Sequence, residues 1–167
     1  LLRGGDESIK NPAQLQLAGR GTSITAPNAL SLGRWYHIAV VDNGSEMTIY
    51  IDGNAEISVD SSSSKAINLG FYYNSPFAIG MSAADVRYFN GYVSEARVWK
   101  RALTPTELKN NQCYVDPATA EGLIGYWRLD QVEDDGRTFT DLSGNGYHGK
   151  ASSNPIWTGE IKCPVVD

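Results

Sequence analysis

Short runs of alternating apolar and polar residues, each closed by a cluster of turn formers, recur along most of this chain. That punctuation restricts the fold more than any other feature. Gln14-Leu15-Gln16-Leu17 alternates cleanly and puts both leucines on one side of a strand. Trp35-Tyr36-His37-Ile38-Ala39-Val40-Val41 runs into Asp42-Asn43-Gly44-Ser45, and Met47-Thr48-Ile49-Tyr50-Ile51 follows. An Asn-Gly pair between two β-rich runs reads as a hairpin turn, because both residues tolerate positive φ. Met47, Ile49 and Ile51 share one face, with Thr48 and Tyr50 on the other. Asp52-Gly53-Asn54 makes a second tight turn into Glu56-Ile57-Ser58-Val59, completing a three-strand meander. Further along, Phe77-Ala78-Ile79-Gly80 reads as a strand entered through Pro76. The run Tyr92 to Trp99 reads as another, in which Val93 and Val98 differ in parity, so a bulge or burial on both faces is expected. Leu123 to Leu129 returns to strand, and Thr138-Phe139-Thr140 follows an acidic loop at Glu133-Asp134-Asp135-Gly136.

One helix interrupts the pattern. Thr104-Pro105-Thr106-Glu107 places Thr at the N-cap, Pro at the first helical position and Glu at the third, a capping box that satisfies two backbone donors reciprocally. Leu103 before the cap can pack on Leu108, and Asn110-Asn111 ends the helix, so it spans about 105–111. Many short strands with one short helix predict an all-β fold, an antiparallel two-sheet sandwich or jelly roll.

With 167 residues, one domain can bury a core without metals or staples. Fourteen Lys and Arg against 19 Asp and Glu give a net charge of -5, with the cations scattered. This is not the clustered positive surface that nucleic acid or an anionic membrane requires, and no nucleic-acid partner is expected. No apolar run approaches the roughly 20 residues of a membrane helix, so direct membrane insertion is not expected. The sequence opens on Leu1-Leu2-Arg3-Gly4-Gly5 with no initiator Met and no signal-peptide pattern, and is read as a piece of a longer polypeptide. The spacing of Cys113 and Cys163 fits no zinc or redox motif, which leaves a disulfide or two buried thiols. A bond would close about 50 residues, contribute roughly 4 kcal/mol in the chain-entropy picture, and imply an oxidising compartment.

Three stretches together resemble one family. Trp35 to Val41 followed by Ile49-Tyr50-Ile51-Asp52-Gly53 is similar to its central hairpin. Asn90-Gly91-Tyr92-Val93-Ser94-Glu95-Ala96-Arg97-Val98-Trp99, with Arg101-Ala102-Leu103-Thr104 and Glu107, is similar to its final strand and helix. Gly122-Leu123-Ile124-Gly125-Tyr126-Trp127 with Asp141-Leu142-Ser143-Gly144-Asn145-Gly146 resembles a strand and glycine turn that often open such a domain. The family is the laminin-G-like domain of the concanavalin A-like lectin/glucanase superfamily, especially its bacterial, Bacteroidetes-like secreted or surface branch. The resemblance covers about residues 14 to 160. It implies a concanavalin A-like jelly roll in an extracellular, periplasmic or cell-surface protein, serving as a non-catalytic carbohydrate-binding or glycan-adhesion module. Its implied partners are a glycan or polysaccharide and other domains of the parent chain. The competing reading is a structural or protein-contact domain within a larger surface protein, and a glycoside hydrolase stands third.

Two departures bear on this. The family usually places Asp before the Glu of the final strand, where Ser94 stands here, so no role is carried over for that acid. The domain-opening motif lies after the helix, and 122–167 is too short for a second jelly roll. The expectation is therefore one domain over 1–167 that lacks N-terminal strands of the parent. Residues 122–167 are expected to fold back into the same sandwich, bringing Trp127 and Trp157 into its core.

For catalysis, a retaining glycosidase needs two carboxylates about 5 Å apart, and the superfamily's glucanases string them as Glu-x-Asp-x-x-Glu. No such string occurs: Glu95 is flanked by Ser94 and Ala96, and Asp52 belongs to a turn. No catalytic residue is assigned. His37, mid-strand beside Trp35 and Tyr36, reads as a satisfied core histidine rather than a base. His148 reads as a solvated loop residue. For sugar binding, flat aromatic faces supply affinity and planar polar groups fix orientation. Tyr72, Tyr73 and Asn74, within Phe71-Tyr72-Tyr73-Asn74, and Arg87, Tyr88 and Asn90, within Arg87-Tyr88-Phe89-Asn90, are the candidate ligand-binding residues, unless these rings cap the sandwich ends instead. No cofactor is required. Calcium is the one inorganic candidate, at Asp141, Ser143 and Asn145, whose oxygens alternate along a glycine-rich turn. The alternative there is a turn that those same side chains hold through their own backbone.

Overall fold

The computed structural model describes residues 14–19, 22–31, 33–61, 77–81, 88–153 and 155. These form an all-β arrangement of small antiparallel sheets with one short helix. Strands β1 (Gln14–Gly19) and β2 (Thr22–Ala29) make a hairpin. Strands β3 (Ile38–Asp42), β4 (Glu46–Ile51) and β5 (Asn54–Asp60) form the expected meander, in the order β3-β4-β5.

The sequence dictates both turns of the meander. At the first, Asn43 Oδ1 accepts from the backbone N–H of Ser45 and Glu46 at 2.9 and 2.8 Å, and Gly44 takes φ 88°. At the second, Asp52 and Gly53 both have positive φ, 50° and 74°. That pair of left-handed residues matches the twist of the flanking strands. Met47, Ile49 and Ile51 are buried as their parity requires. Thr48, on the opposite face, is buried as well and hydrogen bonds Ser58 at 2.7 Å.

The core of this half is apolar and is shared between hairpin and meander. Ile24 packs with Met47 and Ile49, joined by Leu15, Leu17, Ile57 and Val59. Ala26, Leu30, Tyr36 and Ile51 form a second cluster with Leu15 and Ile38. β2 has no counterpart in the sequence reading: Pro27 lies inside it and masks the Ile24/Ala26 alternation.

The other half is assembled around β6 (Ala96–Trp99), α1 (Pro105–Asn110) and β7 (Leu123–Trp127). β6 pairs antiparallel with β7, with a register shift between Val98 and Trp99. The strand covers only Ala96–Trp99 of the expected Tyr92–Trp99 run, so Val93 lies outside it and its parity against Val98 is not the mark of a bulge. The capping box is present: Glu107 N–H donates to Thr104 Oγ1 at 3.2 Å, and Thr104 N–H donates to Glu107 Oε2 at 2.8 Å. Leu103 and Leu108 are both buried, as a hydrophobic staple needs. β7 stops at Trp127, two residues before Leu129 adopts a positive φ of 59°. Beyond it, β8 (Thr138–Phe139) pairs with β9 (Gly149–Lys150). Trp127 is buried and its indole N–H donates to Tyr147 O at 2.8 Å. Trp157 lies outside the described residues.

The expected strand at Phe77–Gly80 is not formed. Gly80 turns with φ 78°, Phe77 and Ile79 are exposed, and among the described residues a single bridge, Met81 with Tyr88, follows. A four-residue apolar run holds a strand only where a neighbour completes the ladder along its length. Among the described residues no helix is long and apolar enough to cross a membrane.

The two halves meet where the Asp52–Gly53 turn reaches the end of α1. A Cβ on Gly53 would come within 2.6 Å of Lys109 Cγ and 2.9 Å of Gln112 Nε2. Glycine is required there for contact as well as for conformation.

Candidate functional site

A cavity of about 890 Å³ opens between β3 with its lead-in residues and the stretch from Ser94 to Tyr114, with Arg128 and Asp130 at its end. Its chemistry comes from two ion pairs, each between residues two apart in sequence. Glu95 and Arg97 are such a pair, joined at 2.9 Å. Arg128 and Asp130 are another, joined at 2.5 Å. Trp35 and Trp99 add aromatic surface to the wall. The Trp35 ring leans on Tyr92 at 6.4 Å between centroids, and the Arg101 guanidinium sits 5.8 Å from the centre of the Trp99 ring.

Arg97 is held on several sides. Its guanidinium lies 5.6 Å from the centre of the Tyr126 ring, the residue it faces across the β6–β7 ladder. It also donates to the carbonyls of Asn111 and Gln112, the latter at 3.3 Å, so it ties β6 to the end of the helix. Burial pushes the Glu95 carboxyl up from its ordinary range, and Arg97 pulls it back only in part. Burial and the nearby Glu95 likewise raise the Tyr126 phenol to about 12.

His37 lies in the same wall. Burial, then the positive Arg97, lower its pKa to about 4 against a pull from Asp52 in the other direction. Its Nδ1 has no hydrogen-bond partner among the described residues. The expectation of a satisfied core histidine is corrected accordingly: the ring is neutral, partly exposed to the cavity, and held by its backbone. His37 N–H donates to Asp52 Oδ1 at 2.8 Å, and Asp52 N–H returns a bond to His37 O at 2.8 Å. The other oxygen of Asp52 meets Arg34 at 2.6 Å.

Of the residues singled out from sequence, Tyr72, Tyr73, Asn74 and Arg87 lie outside the described residues. Tyr88 and Asn90 are exposed, and neither is among the described residues that line the cavity. Asp141, Ser143 and Asn145 do come together in one turn. There Asp141 Oδ1 accepts from the N–H of Tyr126 and of Ser143, both at 2.9 Å. Its Oδ2 accepts from Ser143 Oγ at 2.8 Å and Tyr147 N–H at 3.0 Å. The Asn145 amide donates to Ile124 O at 3.2 Å and Ser143 Oγ at 3.1 Å. Burial raises the Asp141 carboxyl, but these donors together outweigh it and leave its pKa lowered. His148 Nδ1 accepts from Asp141 N–H at 3.2 Å. Among the described residues no three His, Cys, Asp or Glu side chains gather as a metal site. Cys113 is disulfide-bonded, while Cys163, the other cysteine of the sequence, lies outside the described residues.

The cavity residues Trp35, Glu95, Arg97, Arg128 and Asp130 were not singled out as a site from sequence. The available signal was acid–x–arginine at 95/97 and arginine–x–acid at 128/130; the first lies at the start of β6, and the second spans the turn at Leu129.

Comparison with known proteins places these features in context. The family model of the concanavalin A-like lectin/glucanases superfamily matches residues 8–109. Among solved structures, a candidate carbohydrate-binding protein from Bacteroides ovatus ATCC 8483 aligns with 32% identity and a TM-score of 0.66. The alignment covers 82% of this chain and 40% of that one, so this chain spans well under half of that relative. An S-layer domain-containing protein from Clostridium thermocellum ATCC 27405 aligns at 28% identity over 53% of this chain and 44% of its own, with a TM-score of 0.40. No curated protein matches.

Proposed function

The chain belongs to the concanavalin A-like lectin/glucanase superfamily, in its laminin-G-like branch, and from that premise we propose that it is a non-catalytic module that binds glycan for an exported or surface protein. The observation that carries this reading is the cavity between β3 and β6, where Trp35 stands beside two carboxylate–guanidinium pairs. A sugar ring presents an apolar face to an aromatic plane, and its hydroxyls both donate and accept. Side-by-side carboxylate and guanidinium groups answer both needs. The similarity to the Bacteroides ovatus protein supports the same class of ligand.

Hydrolysis is not part of this reading. Glu95 and Asp130 are each engaged by an arginine, whereas a retaining glycosidase keeps a nucleophile and an acid free to exchange roles across the scissile bond. Calcium is not needed either, since four intramolecular donors occupy the Asp141 carboxylate. The disulfide at Cys113 supports an oxidising, extracytoplasmic location. The finer architecture belongs to the same proposal: one two-sheet jelly roll into which 122–167 folds back. It is supported by the β6–β7 ladder and by the apolar clusters common to hairpin and meander.

The test is a glycan array with the purified chain, with and without a chelator, followed by Trp35→Ala and a Tyr72→Ala/Tyr73→Ala double variant. Binding to a defined set of glycans is expected to persist in chelator and to drop at least about tenfold in Trp35→Ala, the scale set by one buried aromatic contact. If the tyrosine pair abolishes binding and Trp35→Ala does not, the site lies on the 71–74 run instead. Uniform background across the array would remove the lectin reading and leave the protein-contact role.

A further inference from the structure

Resting on the glycan-binding reading, we propose that this cavity selects uncharged saccharides and turns away those bearing uronate or sulfate groups. The reason is the state of its arginines. Arg97 is neutralised by Glu95 at 2.9 Å, Arg128 by Asp130 at 2.5 Å and Arg101 by Glu107 at 2.6 Å. Arg97 has also committed N–H groups to the carbonyls of Asn111 and Gln112, and Arg101 donates to Glu121 O at 2.8 Å.

An anionic sugar gains affinity from a guanidinium that can receive it in bidentate fashion. Here each of these guanidinium groups already faces a carboxylate at ion-pair distance. An incoming anion would have to displace Glu95 or Asp130 and then sit beside the charge it displaced. Like charges at such range in a partly desolvated site repel strongly. A hydroxyl meets no such barrier, because it can bridge a carboxylate oxygen and a neighbouring N–H without disturbing either. The remaining ionisable residues of the wall do not alter the balance. Lys100 and Asp42, both exposed, contribute one charge of each sign, and His37 is neutral at ordinary pH.

The experiment compares neutral glycans with uronate- and sulfate-bearing glycans on one array, at moderate salt and near-neutral pH, for the wild type, Glu95→Gln and Asp130→Asn. Thermal melts of each variant confirm that it is folded. The wild type is expected to bind within the neutral set only. Either variant, by releasing its arginine, is expected to gain acidic ligands by at least tenfold while keeping some neutral binding. Two separate substitutions guard against one of them failing to fold. Wild-type binding to acidic glycans at equal or greater strength than to neutral ones would overturn the selectivity and leave the glycan-binding reading standing. No binding to any glycan by any of the three proteins would remove both.

Discussion

Two turns in this molecule bury an aspartate, and they do it by different means. Asp52, 9% exposed, hooks the backbone N–H of His37 with one oxygen and pairs the other with Arg34. Asp141, 4% exposed, hooks the backbone N–H of Tyr126 in the same fashion, but its remaining capacity goes to Ser143 and Tyr147. One carboxylate is balanced partly by an opposite charge and the other by oriented dipoles alone. Dipoles fixed by a turn cost nothing further to orient when the charge is buried, whereas a long arginine must be immobilised. The surroundings follow suit. The half around Asp52 holds the two apolar clusters, while the half around Asp141 buries Ser94 and Gln112 beside its leucines.

The largest test of this contrast is removal of each carboxylate. Asp141→Ala strands one buried backbone N–H, that of Tyr126, and two half-buried ones, those of Ser143 and Tyr147, and should cost about 3 kcal/mol in urea unfolding. Asp52→Ala strands one such group and releases an exposed arginine, so about 2 kcal/mol is expected. Equal losses, or the reverse order, would break the comparison. A smaller effect comes from His37, whose backbone Asp52 holds. The unfolded chain takes up the imidazole proton near 6.5 and the folded chain near 4. Protons are therefore bound preferentially by the unfolded state as pH falls through that window, and stability is lost. Full protection holds above 6.5, and about 3 kcal/mol at most is lost by pH 4, at about 1.4 kcal/mol per unit, less whatever solvent screens. Glu95, whose pKa is raised, works in the opposite sense, so the clean measurement is the difference between wild type and His37→Gln across that range. A His37→Gln profile parallel to wild type would show that the ring is not excluded from protonation in the fold. The smallest effect is expected from Arg34→Ala. The arginine side chain is 59% exposed, so less than about 1 kcal/mol should be lost, and the loss should shrink in high salt. A larger figure would mean that Asp52 depends on charge far more than its geometry implies.

What could be foreseen from sequence follows the range of the interactions concerned. The Asn43–Gly44 and Asp52–Gly53 turns, the meander between them and the Thr104–Glu107 box are local, and each is written in a few adjacent residues. The parity difference between Val93 and Val98 pointed to a bulge, but Val93 lies outside β6 and the register shift falls after Val98, where no sequence pattern marked it. β2 is hidden in the sequence because Pro27 interrupts its pattern, and the run at Phe77 reads as a strand because an apolar run alone does not report whether a neighbour exists. The cavity has a related cause. Trp35, Arg97 and Arg128 come from three separate segments: the β6–β7 ladder sets Arg97 near Arg128, and the packing of that half against the meander adds Trp35. The aromatic clusters drew attention by density, whereas the charged pairs required attention to residues two apart.

Gly53 has a bearing on how this architecture can vary. The bare backbone of Gly53 abuts the side chains of Lys109 and Gln112, so the second turn of the meander and the end of α1 meet with no room for a further side chain between them. Related molecules could exchange wall residues such as Trp35 or Arg128 and leave this contact untouched. A residue larger than glycine at 53 would act as a wedge, forcing the turn and the end of α1 apart.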